Sequence, residues 1–169
     1  TGSQVQYVAK GYNFKRLGFA YHGSQLVIDN LISYHYLWNQ IRVQGGAYGA
    51  NSQISRNGNL TFSSYRDPHL RETIHVYEKA PQFLSEFQSN QRVINSYIIG
   101  ALSSLDHPLT PSQQGDRAAR YTLTGVTKEF LNQEREQVFQ TTLKEIHDFA
   151  PVLAECMKMQ YICVLGNEK

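Results

Sequence analysis

Arg42 and Tyr48 stand six positions apart in RVQGGAYGAN, residues 42 to 51, with Gly45 and Gly46 between them. A tight turn at the two glycines would bring a guanidinium and a phenol onto one rim. Two such donors can clamp a carbonyl oxygen and stabilise the negative charge it develops under attack. The same residues also have a plain structural reading. Arg42 falls in the last turn of a helix, where the macrodipole favours a cation by roughly 0.3–1 kcal/mol. Tyr48 can be a strand aromatic with its ring half buried and its hydroxyl wet. Residue types and spacing leave both readings open.

Other chemistries find less support. The inverted zinc-peptidase signature, His-x-x-Glu-His, needs two imidazoles one helical turn apart with a glutamate beside them. HLRET from His69 and HVYEK from His75 each have the first His and the Glu but lack the second His, so no metal site is expected. His22 and Ser24 are close together in YHGS, but no Gly-x-Ser-x-Gly elbow accompanies them. They read as a strand end and a helix cap. Neither a Walker loop nor the Gly-x-Gly-x-x-Gly spacing occurs. Cys156 and Cys163 read as core thiols in a reducing, intracellular setting.

Composition sets the wider bounds. A chain of 169 residues is expected to form one domain, burying roughly two-thirds of its unfolded surface. Hydrophobic residues make up 41% and charged residues 18%, as in ordinary folded proteins. A net charge of +2, without a basic run or stripe, argues against a nucleic-acid partner. No apolar stretch approaches the ~20 residues of a membrane span, and no charged-then-apolar secretory leader opens the chain.

The elements that must position Arg42 and Tyr48 are legible as patterns. QVQYVA (4 to 9) alternates as a strand, and GFAYHG (18 to 23) reads as a second. Ser24 is expected to cap a helix reaching about Val43, with Val27, Leu31, Tyr34, Trp38 and Ile41 on its stripe. Gly45 is expected to supply the left-handed stop. Strands at 47 to 54 and 60 to 65 flank Asn57-Gly58, a hairpin signal. Asp67 and Pro68 are expected to open the next helix, and Pro81 to end or kink it. A helix over 90 to 106 follows, then one opened by the TPSQ capping box at 110 to 113 and closed at Gly125. Thr127 is expected to begin a long helix carrying Leu131, Val138, Thr142 and Ile146, Pro151 a last one, and YICVLG (161 to 166) a buried final strand. The predicted fold class is α+β, a mostly antiparallel sheet of about five strands packed against several helices.

Four longer words add a resemblance: YLWNQIRVQGGAYGA (36 to 50), SYRDPHLRETIHVYE (64 to 78), IIGALSSLDHPLTP (98 to 111) and FLNQEREQVFQTTLKEI (130 to 146). In this order, and with the closing ICVLG, the chain resembles the C-terminal domain of the presequence-protease branch of the pitrilysin/insulinase-like zinc metallopeptidases. The resemblance implies a parent of four similar α+β domains around a closed peptide chamber, residues 1–169 being the fourth. It places zinc in the first domain and none in this chain. It implies that Arg42 and Tyr48 are catalytic and substrate-binding donors opposite the metal, with Gly45 and Gly46 as the structural turn. The implied partners are the other domains of the same polypeptide and unstructured peptide substrates. The implied location is the cytoplasm in bacteria and mitochondria or plastids in eukaryotes. Arg66 and Asp67 read as architecture, Arg66 tied to a neighbouring acid. The fragment alone is expected to be inactive. The competing reading is a non-catalytic scaffold or peptide-binding domain, whose mark would be loss of the Arg–Tyr pair.

Overall fold

The computed structural model describes residues 4–166. Strand β1 (Gln6–Asn13) leads through a 3-10 turn (Phe14–Leu17) and a loop into helix α1 (Ser24–Leu31), which continues as a π-helix (Ile32–Gln44). Strands β2 (Gly49–Ile54) and β3 (Asn59–Asp67) form the hairpin. Helices α2 (Leu70–Glu86), α3 (Gln91–Leu105), α4 (Pro111–Thr124), α5 (Lys128–Phe139) and α6 (Leu143–Lys158) follow, and β4 (Ile162–Leu165) closes the chain.

The sheet is antiparallel in the order β2-β3-β1-β4. The described residues thus form four strands, not about five. GFAYHG is the missing one. Instead of pairing with a strand, that segment is fastened to α5: the Tyr21 hydroxyl donates to Glu134 at 2.7 Å and the Gly23 amide to Gln137 at 2.7 Å. A Cβ at Gly23 would lie 2.4 Å from the Glu134 carbonyl oxygen, so the approach requires glycine.

The inner sheet face carries Val8, Leu60, Phe62, Ala50 and Ile54 into a core with Val27, Ile28, Leu31, Tyr77, Leu84 and Leu153. Val5, Tyr7 and Ala9 fall on the opposite side of β1 from Val8 and Lys10, and Tyr7 is exposed. Lys10 is buried and donates to Glu78 at 2.6 Å. β4, at the sheet edge beside β1, is exposed along its length rather than buried. No described helix is long and apolar enough to cross a membrane.

Local rules explain further differences. Gly23, not Ser24, occupies the cap position of α1, and the His22 ring nitrogen accepts the Ser24 amide at 3.3 Å. Pro81 lies within α2 without ending it, and Pro151, expected to begin a last helix, lies inside α6, which starts at Leu143. The expected long helix from Thr127 stops at Gln140, because Thr142 and Glu145 form a capping box that starts α6. Asp67 is buried before α2, accepting the His69 amide at 2.9 Å and the Thr73 hydroxyl at 2.6 Å, while α2 itself begins at Leu70. The Thr110 and Gln113 capping box and the left-handed Gly125 stop of α4 form as predicted.

Candidate functional site

The path from helix to strand at residues 41 to 49 is short and closely bonded. The π-helix carries i→i+5 bonds, which widen the turn and rotate its residues off a 3.6-residue stripe. Val27, Leu31 and Ile41 of the predicted stripe are buried, whereas Tyr34 and Trp38 emerge at 65% and 37% exposure. Gly45 and Gly46 then act in different ways. Gly46 takes the left-handed conformation (φ 76°) expected of Gly45, which stays right-handed at φ −85°. Gly45 is required by space, since a Cβ there would lie 2.6 Å from the Ile41 carbonyl oxygen. The Gly46 amide donates to Arg42 O at 3.0 Å and the Ala47 amide to Ile41 O at 3.1 Å, which satisfies two carbonyls of the helix's last turn. The Tyr48 amide then donates to Tyr65 O at 3.0 Å and starts the β2–β3 pairing.

This turn brings Arg42 and Tyr48 together. A terminal guanidinium nitrogen of Arg42 donates to the Tyr48 backbone oxygen. The guanidinium carbon lies 4.2 Å from the centre of the Trp38 ring and 5.6 Å from that of Tyr48. No carboxylate pairs with Arg42 among the described residues. Tyr48 is 64% exposed, and its ring meets Tyr65 edge-on at 5.6 Å. The site therefore presents a guanidinium and a free phenol on an open rim, two groups able to donate to an oxygen.

Neighbouring strand β3 is irregular at this point. Gln6 pairs with Asp67 but Val8 with Ser64, so β3 holds one extra residue, a β-bulge. Arg66 sits there in the left-handed region at φ 52°. The bulge sends Ser64 and Asp67 both inward, and Tyr65 and Arg66 both outward. Arg66 makes no ion pair among the described residues, contrary to the expectation of an acidic partner.

The other sequence candidates are structural. His22 Nδ1 and Ser24 Oγ are 2.8 Å apart, but Ser24 is buried in the start of α1. Cys156 is buried, and burial pushes its thiol up to about 11; Cys163 is exposed on β4, not a core thiol. Among the described residues no group of three His, Cys, Asp or Glu side chains could hold a metal ion. Trp38 and Tyr65 escaped the sequence reading as neighbours of the pair. For Trp38 the signal was its place four residues before Arg42 on a helix; for Tyr65 nothing short of the strand register would have revealed it.

A family model described as the PreP C-terminal domain matches residues 1–167. Protein HypA of Clostridium perfringens is 41% identical over 169 residues, 100% of this chain and 17% of HypA. Presequence protease 1, chloroplastic/mitochondrial, of Arabidopsis thaliana is 36% identical over 152 residues, 89% of this chain and 14% of that protein. Pitrilysin superposes with a TM-score of 0.66 at 11% identity, covering 99% of this chain and 19% of the pitrilysin chain, a likeness of fold. The chain thus spans less than a fifth of the length of HypA and of presequence protease 1.

Proposed function

The chain belongs to the family of PreP C-terminal domains, and from that premise we propose that it is the fourth and last domain of a zinc metalloendopeptidase that cleaves unfolded peptides within a closed chamber. The single observation that carries the reading is the Arg42–Tyr48 pair, held on one rim with no acid among the described residues to neutralise the guanidinium. In this role the free N–H groups of Arg42 and the Tyr48 hydroxyl donate to the scissile carbonyl oxygen. They bind it more strongly as it acquires negative charge, which is what accelerates the step. Zinc, when bound in the N-terminal domain, supplies Lewis-acid chemistry and an activated water. This chain's share, through Arg42 and Tyr48, is the opposite side of the carbonyl. A site divided between domains makes chamber closure part of the cycle. The working partners are the other domains of the same polypeptide and unstructured peptides. The compartment is the bacterial cytoplasm, or a mitochondrion or plastid in a eukaryote.

Complementation tests this directly. The parent chain lacking this domain is assayed on a quenched unstructured peptide, then supplemented with the domain, unmodified or as Arg42→Ala or Tyr48→Phe. The domain alone should cleave nothing, and the unmodified domain should restore cleavage. The variants should fall short by roughly 10²–10³ in rate. Equal rescue by all three would make the domain a scaffold that only completes the chamber.

A further inference from the structure

We propose that Trp38 and Tyr65 are positioning residues that hold Arg42 and Tyr48 in their carbonyl-binding geometry. The inference rests on the reading of Arg42 and Tyr48 as carbonyl donors. A half-exposed arginine with no fixed partner samples many rotamers, and a donor that must be ordered in the transition state forfeits rate. An acid would order it but would also cancel its charge. The ring of Trp38, 4.2 Å from the guanidinium carbon, orders it without a negative charge. With the Tyr48 ring at 5.6 Å and the Tyr48 carbonyl as acceptor, Arg42 is bracketed on several sides. Its charge stays available to the substrate.

Tyr65 does the same for Tyr48. It accepts the Tyr48 amide at its own carbonyl and meets the Tyr48 ring edge-on. Tyr65 is in turn held edge-on by Tyr7 at 5.1 Å from the next strand. Both Trp38 and Tyr65 are partly exposed, at 37% and 47%, so neither is a core side chain whose loss must unfold the domain. Trp38 stands four residues before Arg42 on the same helix, and that spacing sets its ring beside the guanidinium.

The experiment uses the full-length peptidase carrying Trp38→Leu, Trp38→Phe or Tyr65→Ser, with Arg42→Ala and the Trp38→Leu/Arg42→Ala double variant beside them. Trp38→Leu and Tyr65→Ser should lower kcat roughly 3- to 30-fold with KM little changed and the melting temperature preserved. Trp38→Phe, which keeps an aromatic face, should recover most of the loss. In the Arg42→Ala background Trp38→Leu should cost nothing further, since there is no guanidinium left to position. Unchanged kcat in Trp38→Leu, or a full additional loss in the double variant, would overturn the proposal while leaving the role of Arg42 intact. Full activity of Arg42→Ala would instead remove the reading on which it rests.

Discussion

Asp29 shows how one partly buried group contributes to the domain's response to pH. Burial pushes its carboxyl up to about 6, against the opposing pull of the Ser52 hydroxyl and the Ile54 amide. The folded state therefore holds this proton more tightly than the unfolded chain does. The stabilisation it brings is present below the ordinary carboxylate range, around pH 4, and is lost as pH rises through about 6. Asp29→Asn should remove this slope. Denaturant unfolding at pH 4.5 and pH 7 should show the natural chain losing stability relative to the variant as pH rises, and parallel curves would refute it. Glu134 anchors a second network. Its buried carboxylate accepts from Arg56 at 2.7 and 2.5 Å and from Tyr21 at 2.7 Å. Glu134→Ala strands both donors and should cost about 2–4 kcal/mol in chemical unfolding. Neither network was legible in the sequence, because Asp29 reaches Ser52 and Glu134 reaches Arg56 only through the packing of helix on hairpin.

At the scale of elements, the Gly-Gly turn separates what local pattern can say from what it cannot. The pattern correctly places a helix stop, a hairpin and the start of β2, since glycine and Asn-Gly signals are local. It misassigns the left-handed residue by one, because the helix ends in π rather than α geometry and its closing bonds reach one residue further. The same winding is why Tyr34 and Trp38 leave the predicted stripe. The break between α5 and α6 was legible in Thr142 and Glu145, yet an apolar register running across it suggested one helix. The two glycines should differ on substitution. Gly46→Ala meets nothing closer than Pro68 at 3.8 Å and should cost about 1–2 kcal/mol from its backbone conformation alone. Gly45→Ala must displace the helix backbone and should also lower kcat in the full-length enzyme, by shifting Arg42 against Tyr48. Equal effects of the two on stability and on rate would show that the turn does not set the pair.

For the whole molecule, its uncovered surfaces fit a domain that is part of something larger. The outer sheet face, with Tyr7, Tyr65 and Leu165, is exposed, and α4 contributes no buried residue. Hydrogen exchange should find α4 weakly protected in the isolated domain and well protected in the full-length chain; identical protection would mean that α4 docks on nothing. The family was legible because four words lie in order along the chain, whereas the outward face of the sheet was not, since exposure depends on which side the helices cover. The central claim, that Arg42 and Tyr48 serve the transition state, is tested most directly with a phosphinic peptide that mimics the tetrahedral intermediate. Its Ki is measured on the full-length enzyme and on Arg42→Ala and Tyr48→Phe, beside kcat/KM for the matching substrate. The expected result is that Ki rises in step with the loss of kcat/KM, by roughly 10²–10³, while substrate KM barely moves. Variants that bind the mimic and turn over substrate as the natural enzyme does would contradict it, and would leave RVQGGAY as the end of a helix.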